Sequence, residues 1–250
     1  MKKKVAIRRI TGTEEEEIED LVVTEKHFEI FVNGKRLGLC CGNAGFICSG
    51  DCLEALSAGI LFTRGIINKK SDIISLKING KRCHADVKEE GIPCLNVAEN
   101  LRLDTSRFAL SERPGITISP RQIFHLAEEL ENSSSVFRQT GGVHSAGLAD
   151  CNQILVFFED VSRHNAVDKV LGQCILKDID TTGMIFLLSG RITAEVIARV
   201  CRTKISIIIS RAAVTTLAIE LAEKAGMTVV GFARGKRFNI YTHKERVKND

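Results

Sequence analysis

From residue 154 onward the chain repeats one alternation. A short run of almost wholly apolar residues is followed by a segment of roughly 10–13 residues with apolar positions at helical spacing. Ile205-Ser206-Ile207-Ile208-Ile209 is the clearest such run. A strand without polar alternation has both faces covered. Strands joined by helices return to one sheet through right-handed crossovers. The second half is therefore expected to hold an α/β unit with a mostly parallel sheet. Its elements read as helix 120–131, two strands within 136–158 around a Gly-rich turn, helix 162–172, strand 184–188, helix 192–203, strand 205–209, helix 214–225, and strands 228–233 and 238–242.

The first half is less regular. Residues 1–24 are dominated by charge, from Lys2-Lys3-Lys4 and Arg8-Arg9 to Glu14–Glu17, and read as a frayed strand or arm. Phe28 to Val32 alternates and runs into Asn33-Gly34, a two-residue hairpin signal with Leu37-Gly38-Leu39 as the return strand. Leu53, Leu56, Ile60 and Leu61 share a helix face within 51–62. Strands at 73–78 and 82–87 flank a second Asn-Gly turn at Asn79-Gly80. The segment 104–120 holds two of the three prolines and is read as a connection between an α+β domain, 1–104, and an α/β domain, 105–250.

Hydrophobic residues make up 44% and charged residues 26%, which excludes a disordered or fibrous chain. No apolar run approaches ~18 residues, so no membrane span is expected. No apolar stretch follows the basic start, so the protein is expected to stay in the cytoplasm. A net charge of +4, with no Trp and a single Tyr, argues against nucleic acid as a partner. Nine cysteines with no C-x-x-C spacing read as free thiols rather than a disulfide framework, and no metal site is expected.

In an open α/β sheet, ligands bind beyond the carboxyl ends of the strands. Four predicted strands end in an arginine: Arg163 after Glu159-Asp160-Val161-Ser162, Arg191 after Ser189-Gly190, Arg211 after Ser210, and Arg234 before Gly235-Lys236-Arg237. Helix starts and tight turns at these points would add backbone N–H groups. The guanidinium fork suits phosphate, so the edge is expected to hold a polyanion. Six Lys or Arg against one acid between Arg234 and Lys248 extend the positive field. Gly141-Gly142-Val143-His144 is the other dense stretch. His144 there is either a ligand-facing group or a hydrogen-bonded turn histidine. His164 is open to the same two readings. Asp160 and Asp168 either cap the helix and pair with Arg163 or Lys169, or belong to the site.

The segments Thr140 to Ala146, Glu159 to Val170, Ser189-Gly190-Arg191, Gly231 to Thr242 and Gly59 to Ile67 occur together and in order. In these the chain, from about residue 25 to 243, resembles the formate dehydrogenase accessory protein family, the FdhD-type sulfur carriers. The resemblance implies a three-layer α/β/α mixed sheet of cytidine-deaminase-like type with a smaller N-terminal α+β domain. It implies a sulfurtransferase-type carrier that takes sulfur from a cysteine desulfurase. The sulfur passes to the molybdenum or tungsten bis(molybdopterin guanine dinucleotide) cofactor before that cofactor enters the formate dehydrogenase catalytic subunit. A homodimer is implied as well, and guanosine nucleotides should mimic the cofactor. The family's nucleotide-binding stretch falls on Phe232, Ala233, Arg234, Gly235, Lys236 and Arg237. With these we group Ser189, Arg191, Arg211, Gly141, Gly142, His144, Arg163 and His164 as the cofactor-binding set.

One departure matters. The family usually carries C-x-x-C-G in the loop before the helix at 120–131, where this chain reads Arg107-Phe108-Ala109-Leu110-Ser111-Glu112-Arg113-Pro114-Gly115. Either another cysteine carries the sulfur, or the protein is a cofactor chaperone without sulfur transfer. Cys48 and Cys52 are the candidate carriers, because a helix start beside them is expected to lower their pKa. Cys151, Cys174 and Cys201 fall among apolar residues and are expected to be buried. A zinc deaminase is the remote alternative, since the H-x-E and P-C-x-x-C ligand sets are missing.

Overall fold

The computed structural model describes residues 1–38, 45–88 and 115–249. The expected return strand at 37–39, the thiols Cys40, Cys41 and Cys94, and most of the connection around 104–120 lie wholly or partly outside them. Among the described residues, no helix is long and apolar enough to cross a membrane.

The charged start is a regular hairpin. β1 (Lys2–Thr11) pairs with β2 (Glu14–Val23) over its whole length, turning at Gly12, whose φ of 63° suits glycine. Next come β3 (Lys26–Val32), β4 (Lys35–Arg36), β5 (Phe46–Cys48), helix α1 (Leu53–Thr63), β6 (Ile73–Asn79) and β7 (Arg82–Val87). The sheet order is β4-β3-β7-β6, with β5 also on β3. Asn33-Gly34 forms the turn its sequence places there, whereas the second turn falls one residue later than expected, on Gly80-Lys81, with Asn79 paired to Arg82.

α2 (Pro120–Ser133) begins on a reciprocal cap. Gln122 donates its backbone N–H to the Ser119 hydroxyl and accepts the Ser119 N–H, with Pro120 at the first helical position. α3 (Ser135–Thr140) follows, in place of the start of a strand expected from 136. Its helical turn depends on a distant residue: the carboxylate of Glu159 accepts the N–H groups of Val136 and Phe137. The remaining elements are β8 (His144–Ala149), β9 (Ile154–Asp160), α4 (Arg163–Leu176), β10 (Ile185–Leu188), α5 (Ala194–Val200), β11 (Ile207–Ser210), α6 (Thr216–Lys224), β12 (Thr228–Arg234) and β13 (Arg237–Thr242).

These strands form one sheet in the order β13-β12-β11-β10-β8-β9. Only β10–β11 and β11–β12 are parallel, so the sheet is mixed, and the expectation of a mostly parallel one is corrected. β9 follows β8 and β13 follows β12 through short connections and can pair with them only antiparallel, and β10, brought back after α4, runs the same way as β9 and so antiparallel to β8. Both faces are covered. Ile185, Leu187, Ile207 and Ile209 pack against Ile123, Leu126 and Leu130 of α2. The alternate residues Phe186, Leu188 and Ile208 join Val167 and Val170 of α4, Val196 of α5 and Leu221 of α6. That second core continues through α1 to Phe28, Ile30 and Ala85 of the smaller sheet. α1 lies so close on α4 that a Cβ on Gly172 would fall 1.9 Å from the Ala55 carbonyl oxygen.

Candidate functional site

β9 and β10 both run antiparallel to β8, and β11 and β12 run parallel to β10. The carboxyl ends of β9, β10, β11 and β12 therefore share one sheet edge with the starts of β8 and β13. Arg163, Arg191, Arg211 and Arg234 all stand at this edge, and His144 and His164 stand there with them.

The β9 end is the most tightly built part. A Cβ on Gly190 would lie 3.3 Å from both the Arg163 Cβ and the His144 Nδ1, so this glycine lets helix α4 and strand β8 converge. Half-buried and near Arg163 and Arg191, His144 has a pKa below the ordinary histidine value, desolvation being the larger cause. His164 is lowered further, to about 3, by burial and then by the cations Arg199 and Arg163. Its Nε2 lies 2.8 Å from the Glu195 carboxylate but outside hydrogen-bonding geometry. Both imidazoles are neutral at pH 7 and can each donate and accept a hydrogen bond.

Among the described residues, Arg163, Arg191 and Arg234 form no ion pair, whereas Arg211 is held by Glu131 of α2. Arg163 Nε, His164 Nε2 and Thr193 Oγ1 are buried and without hydrogen-bond partners. Orphaned buried donors beside unpaired guanidiniums leave this end of the sheet short of acceptors. Phosphate and guanine oxygens are acceptors of the kind it lacks. The chemistry of the donor set thus fits a nucleotide-bearing polyanion.

Other members of the expected set have structural parts. Ser189 Oγ accepts the Ser145 N–H at 2.8 Å, and Ser145 Oγ meets Ser134 Oγ at 2.5 Å. Gly141 ends α3 with φ 63°, and Gly142 lies under Val23 of β2. Ala233 is fully buried in the core facing α2, so at most its backbone reaches the edge. Phe232 adopts φ 54°, an uncommon conformation for an aromatic residue, at an irregularity where β12 and β13 lose register. Arg234 sits with its guanidinium 5.9 Å from the Phe232 ring centroid, Gly235 and Lys236 follow in the exposed turn, and Arg237, also exposed, starts β13.

Sequence reasoning missed the network behind the edge. Lys169 is fully buried and pairs with Asp160 at 2.8 Å and Asp51 at 2.9 Å. Burial opposes its charge, but Asp160 and Asp51 outweigh burial and hold its pKa above the usual lysine value. Asp160 also accepts hydrogen bonds from the Ser49 N–H and hydroxyl, the Ser162 N–H and the Asn165 amide. The loop through residues 49–52 is thereby tied to the end of β9 and the start of α4. Of the two pairings open for Asp160, that with Lys169 forms. Asp168 instead contacts Thr63 and Arg199. The only sequence signal was the density of polar residues after a buried strand.

Cys48 is buried and Cys52 exposed. Both thiols have raised pKa values, which corrects the expectation of lowered ones. Burial is the main cause for each, and Asp51 then raises Cys52. Cys52 caps α1 with φ 49°. Burial and the Asp51 charge outweigh what the helix start supplies. Cys174 is buried, with its thiol pushed up to about 12, while Cys151 and Cys201 are only half-buried, contrary to expectation.

The comparisons with known proteins agree with this geometry. The family model for the FdhD/NarQ family matches residues 23–248. The sulfur carrier protein FdhD of Staphylococcus haemolyticus is 33% identical over 244 residues, covering 92% of this chain and 90% of that one. That of Listeria monocytogenes is 33% identical over 258 residues, covering 96% and 97%. A crystal structure from Desulfotalea psychrophila, described as a formate dehydrogenase accessory protein, superposes with a TM-score of 0.83 at 27% identity, covering 99% of both chains. The chain belongs to the FdhD/NarQ family.

Proposed function

We propose that this protein is a cytoplasmic accessory sulfur carrier for formate dehydrogenase. In this reading it binds the molybdenum or tungsten bis(molybdopterin guanine dinucleotide) cofactor at the strand-end edge and supplies it with sulfur from a cysteine desulfurase. The observation that carries the proposal is the cluster of unpaired Arg163 and Arg191 with two neutral histidines, with unpaired Arg234 farther along the same sheet edge. The guanidiniums hold the pyrophosphates. His144, His164 and the orphaned Thr193 hydroxyl supply directional hydrogen bonds. The cofactor is cargo, and the metal chemistry belongs to it.

For the sulfur, Cys52 is the candidate: it is exposed and lies on the loop that Ser49 ties to the β9 end. Its thiolate attacks the terminal sulfur of the desulfurase persulfide. The S–S bond breaks, the desulfurase cysteine leaves as a thiolate, and Cys52 holds the new persulfide. One observation favours the chaperone reading instead: the raised thiol pKa leaves Cys52 mostly protonated at pH 7.

Calorimetry with GDP tests the binding half. Loss of one arginine–phosphate contact costs about 1.5–3 kcal/mol, so Arg191→Ala and Arg234→Ala should each weaken GDP by about 10- to 150-fold. Unchanged affinity in both variants would remove the proposed site. Alkylation and mass spectrometry after incubation with a cysteine desulfurase and cysteine test the other half. Persulfide on Cys52 supports the carrier, and its absence from every cysteine leaves the chaperone.

A further inference from the structure

β3, the approach to α1 and the turn between β6 and β7 meet around a cavity of about 250 Å³ that the strand-end edge does not use. Its lining is mostly apolar, with Phe28 buried and Leu53 half-buried. Gly50 has φ 79°, and a Cβ there would fall 2.3 Å from the Lys26 Cδ, so the lysine stem lies along this glycine as part of the wall. Nothing lies within 4 Å of where a Cβ on Gly80 would stand, so the cavity opens to solvent on that side.

Two cations frame the apolar lining, Lys26 from β3 and Lys81 from the β6–β7 turn. Both are exposed, and among the described residues neither forms an ion pair. Of the acids nearby in sequence, Asp51 is engaged by Lys169 and Ser49, and Glu29 by Arg36 and Arg82. Glu25 and Glu54 pair with neither lysine. Between Gly50 and Leu53 in the chain stands Cys52, with its exposed thiol.

We infer that this cavity receives one apolar side chain, flanked by carboxylates, from the protein that hands sulfur to this chain, and that the docked segment is thereby brought beside Cys52. The inference rests on the reading of Cys52 as the sulfur acceptor. The volume is below the roughly 300–1,000 Å³ of small-molecule pockets and leaves room for one large side chain. A single apolar anchor inside a charged rim is how protein interfaces concentrate their affinity. Unpaired Lys26 and Lys81 attract an acidic segment and repel a basic one. Because they come from two separate elements, carboxylates on either side of the anchor can each meet one lysine.

The probe is a dye-labelled peptide, Glu-Glu-Phe-Glu-Glu, titrated by fluorescence anisotropy against the full-length protein. It should bind wild type, and bind the double variant Lys26→Glu, Lys81→Glu at least about tenfold more weakly. Lys77→Glu, exposed on β6 and outside the cavity, should bind it like wild type. The double variant should instead prefer Lys-Lys-Phe-Lys-Lys. Alanine in place of the central Phe should weaken binding to wild type by about tenfold or more. Saturating acidic peptide should slow alkylation of Cys52 by iodoacetamide in wild type and leave it unchanged in the double variant. Hexanoate, which carries an apolar chain and a single carboxylate, should give no protection. Equal affinity for wild type and the double variant would overturn the inference. So would a Cys52 that the bound peptide leaves unprotected, or protection by hexanoate that matches the peptide's. These readouts need no sulfur, so protection by the peptide without persulfide on Cys52 in the desulfurase assay would support the dock and refute the carrier reading.

Discussion

The crossing of α1 over α4 joins the smaller sheet to the main one through two glycines, and Gly172→Ala measures how closely. A Cβ at 172 would sit 1.9 Å from the Ala55 carbonyl oxygen and 2.5 Å from the Gly59 nitrogen. Both obstacles are backbone, so no side chain can swing aside. An unstrained carbon–oxygen contact needs about 3.3 Å, so the helices must part by about 1.4 Å, loosening the core on either side. Overpacking costs about 1–3 kcal/mol, and a backbone obstacle places this case near the top of that range. Alanine's better helix propensity returns about 1 kcal/mol. The net loss is about 2 kcal/mol, a fall in Tm of about 4–8 °C for a chain of this length. Differential scanning calorimetry is the assay. Gly59→Ala would bring a Cβ to 1.7 Å from the Asp168 oxygen at the same crossing. The double variant should therefore lose less than the sum of the two, because one separation relieves both clashes. A Gly172→Ala protein as stable as wild type would refute this packing argument.

Two further substitutions probe the buried charges. Lys169→Met leaves Asp160, itself fully buried, without its counter-ion and should cost about 3–5 kcal/mol in urea unfolding. Because the folded lysine's pKa is raised, its contribution is complete below the usual value of 10.5 and is lost as pH rises through the folded one. The wild type should therefore show an alkaline loss of stability that the variant lacks. His164→Gln acts at the other end of the scale. The folded imidazole stays neutral down to about 3 while the unfolded one protonates near 6.5. Wild-type stability should thus fall between pH 6.5 and 5, by at most about 2 kcal/mol, and the variant's profile should be flatter there. Equal slopes would mean that Glu195 keeps His164 protonated in the fold.

What could be read in the sequence was what local chemistry decides. Asn33-Gly34 forms the turn it encodes, the turn expected at Asn79-Gly80 forms one residue later on Gly80-Lys81, and the apolar runs from Ile154 to Val230 become strands. The shared edge for the four arginines follows from strand order alone. The features that escaped depend on partners far along the chain. Ser135 to Thr140 is too short to be helical by its own propensity and becomes so because Glu159 caps it from β9. Arg211 looked like its three counterparts until Glu131 of α2 reached it. The ribbon at the start is legible only in register, since two runs of like charge each suggest a frayed segment, while paired they neutralise one another. Lys169 resembles any solvated helix lysine until Asp51 and Asp160, 118 and 9 positions away in sequence, close around it.

The same cluster bears on the thiol. Cys52 is exposed, yet burial of its sulfur and then the neighbouring Asp51 charge raise its pKa above the usual 9.0, while Lys169 pulls the other way. Asp51→Asn removes the opposing charge and keeps a side chain of the same shape, with Lys169 still held by Asp160. The thiolate fraction of Cys52 should rise. At pH 7 iodoacetamide should then alkylate it faster in the variant than in wild type, and the midpoint of the pH–rate curve should move down. Cys52→Ser identifies the signal, because the adduct must vanish with it. Cys174, buried with its thiol at about 12, should stay unlabelled in the folded protein and report any unfolding. Equal rates in Asp51→Asn and wild type would show that desolvation alone governs the thiol. A slow wild-type thiol that Asp51→Asn speeds would mean that the resting protein keeps Cys52 unreactive. A sulfur donor that docks there would then have to bring its own base, or displace the Asp51 charge, before any transfer begins.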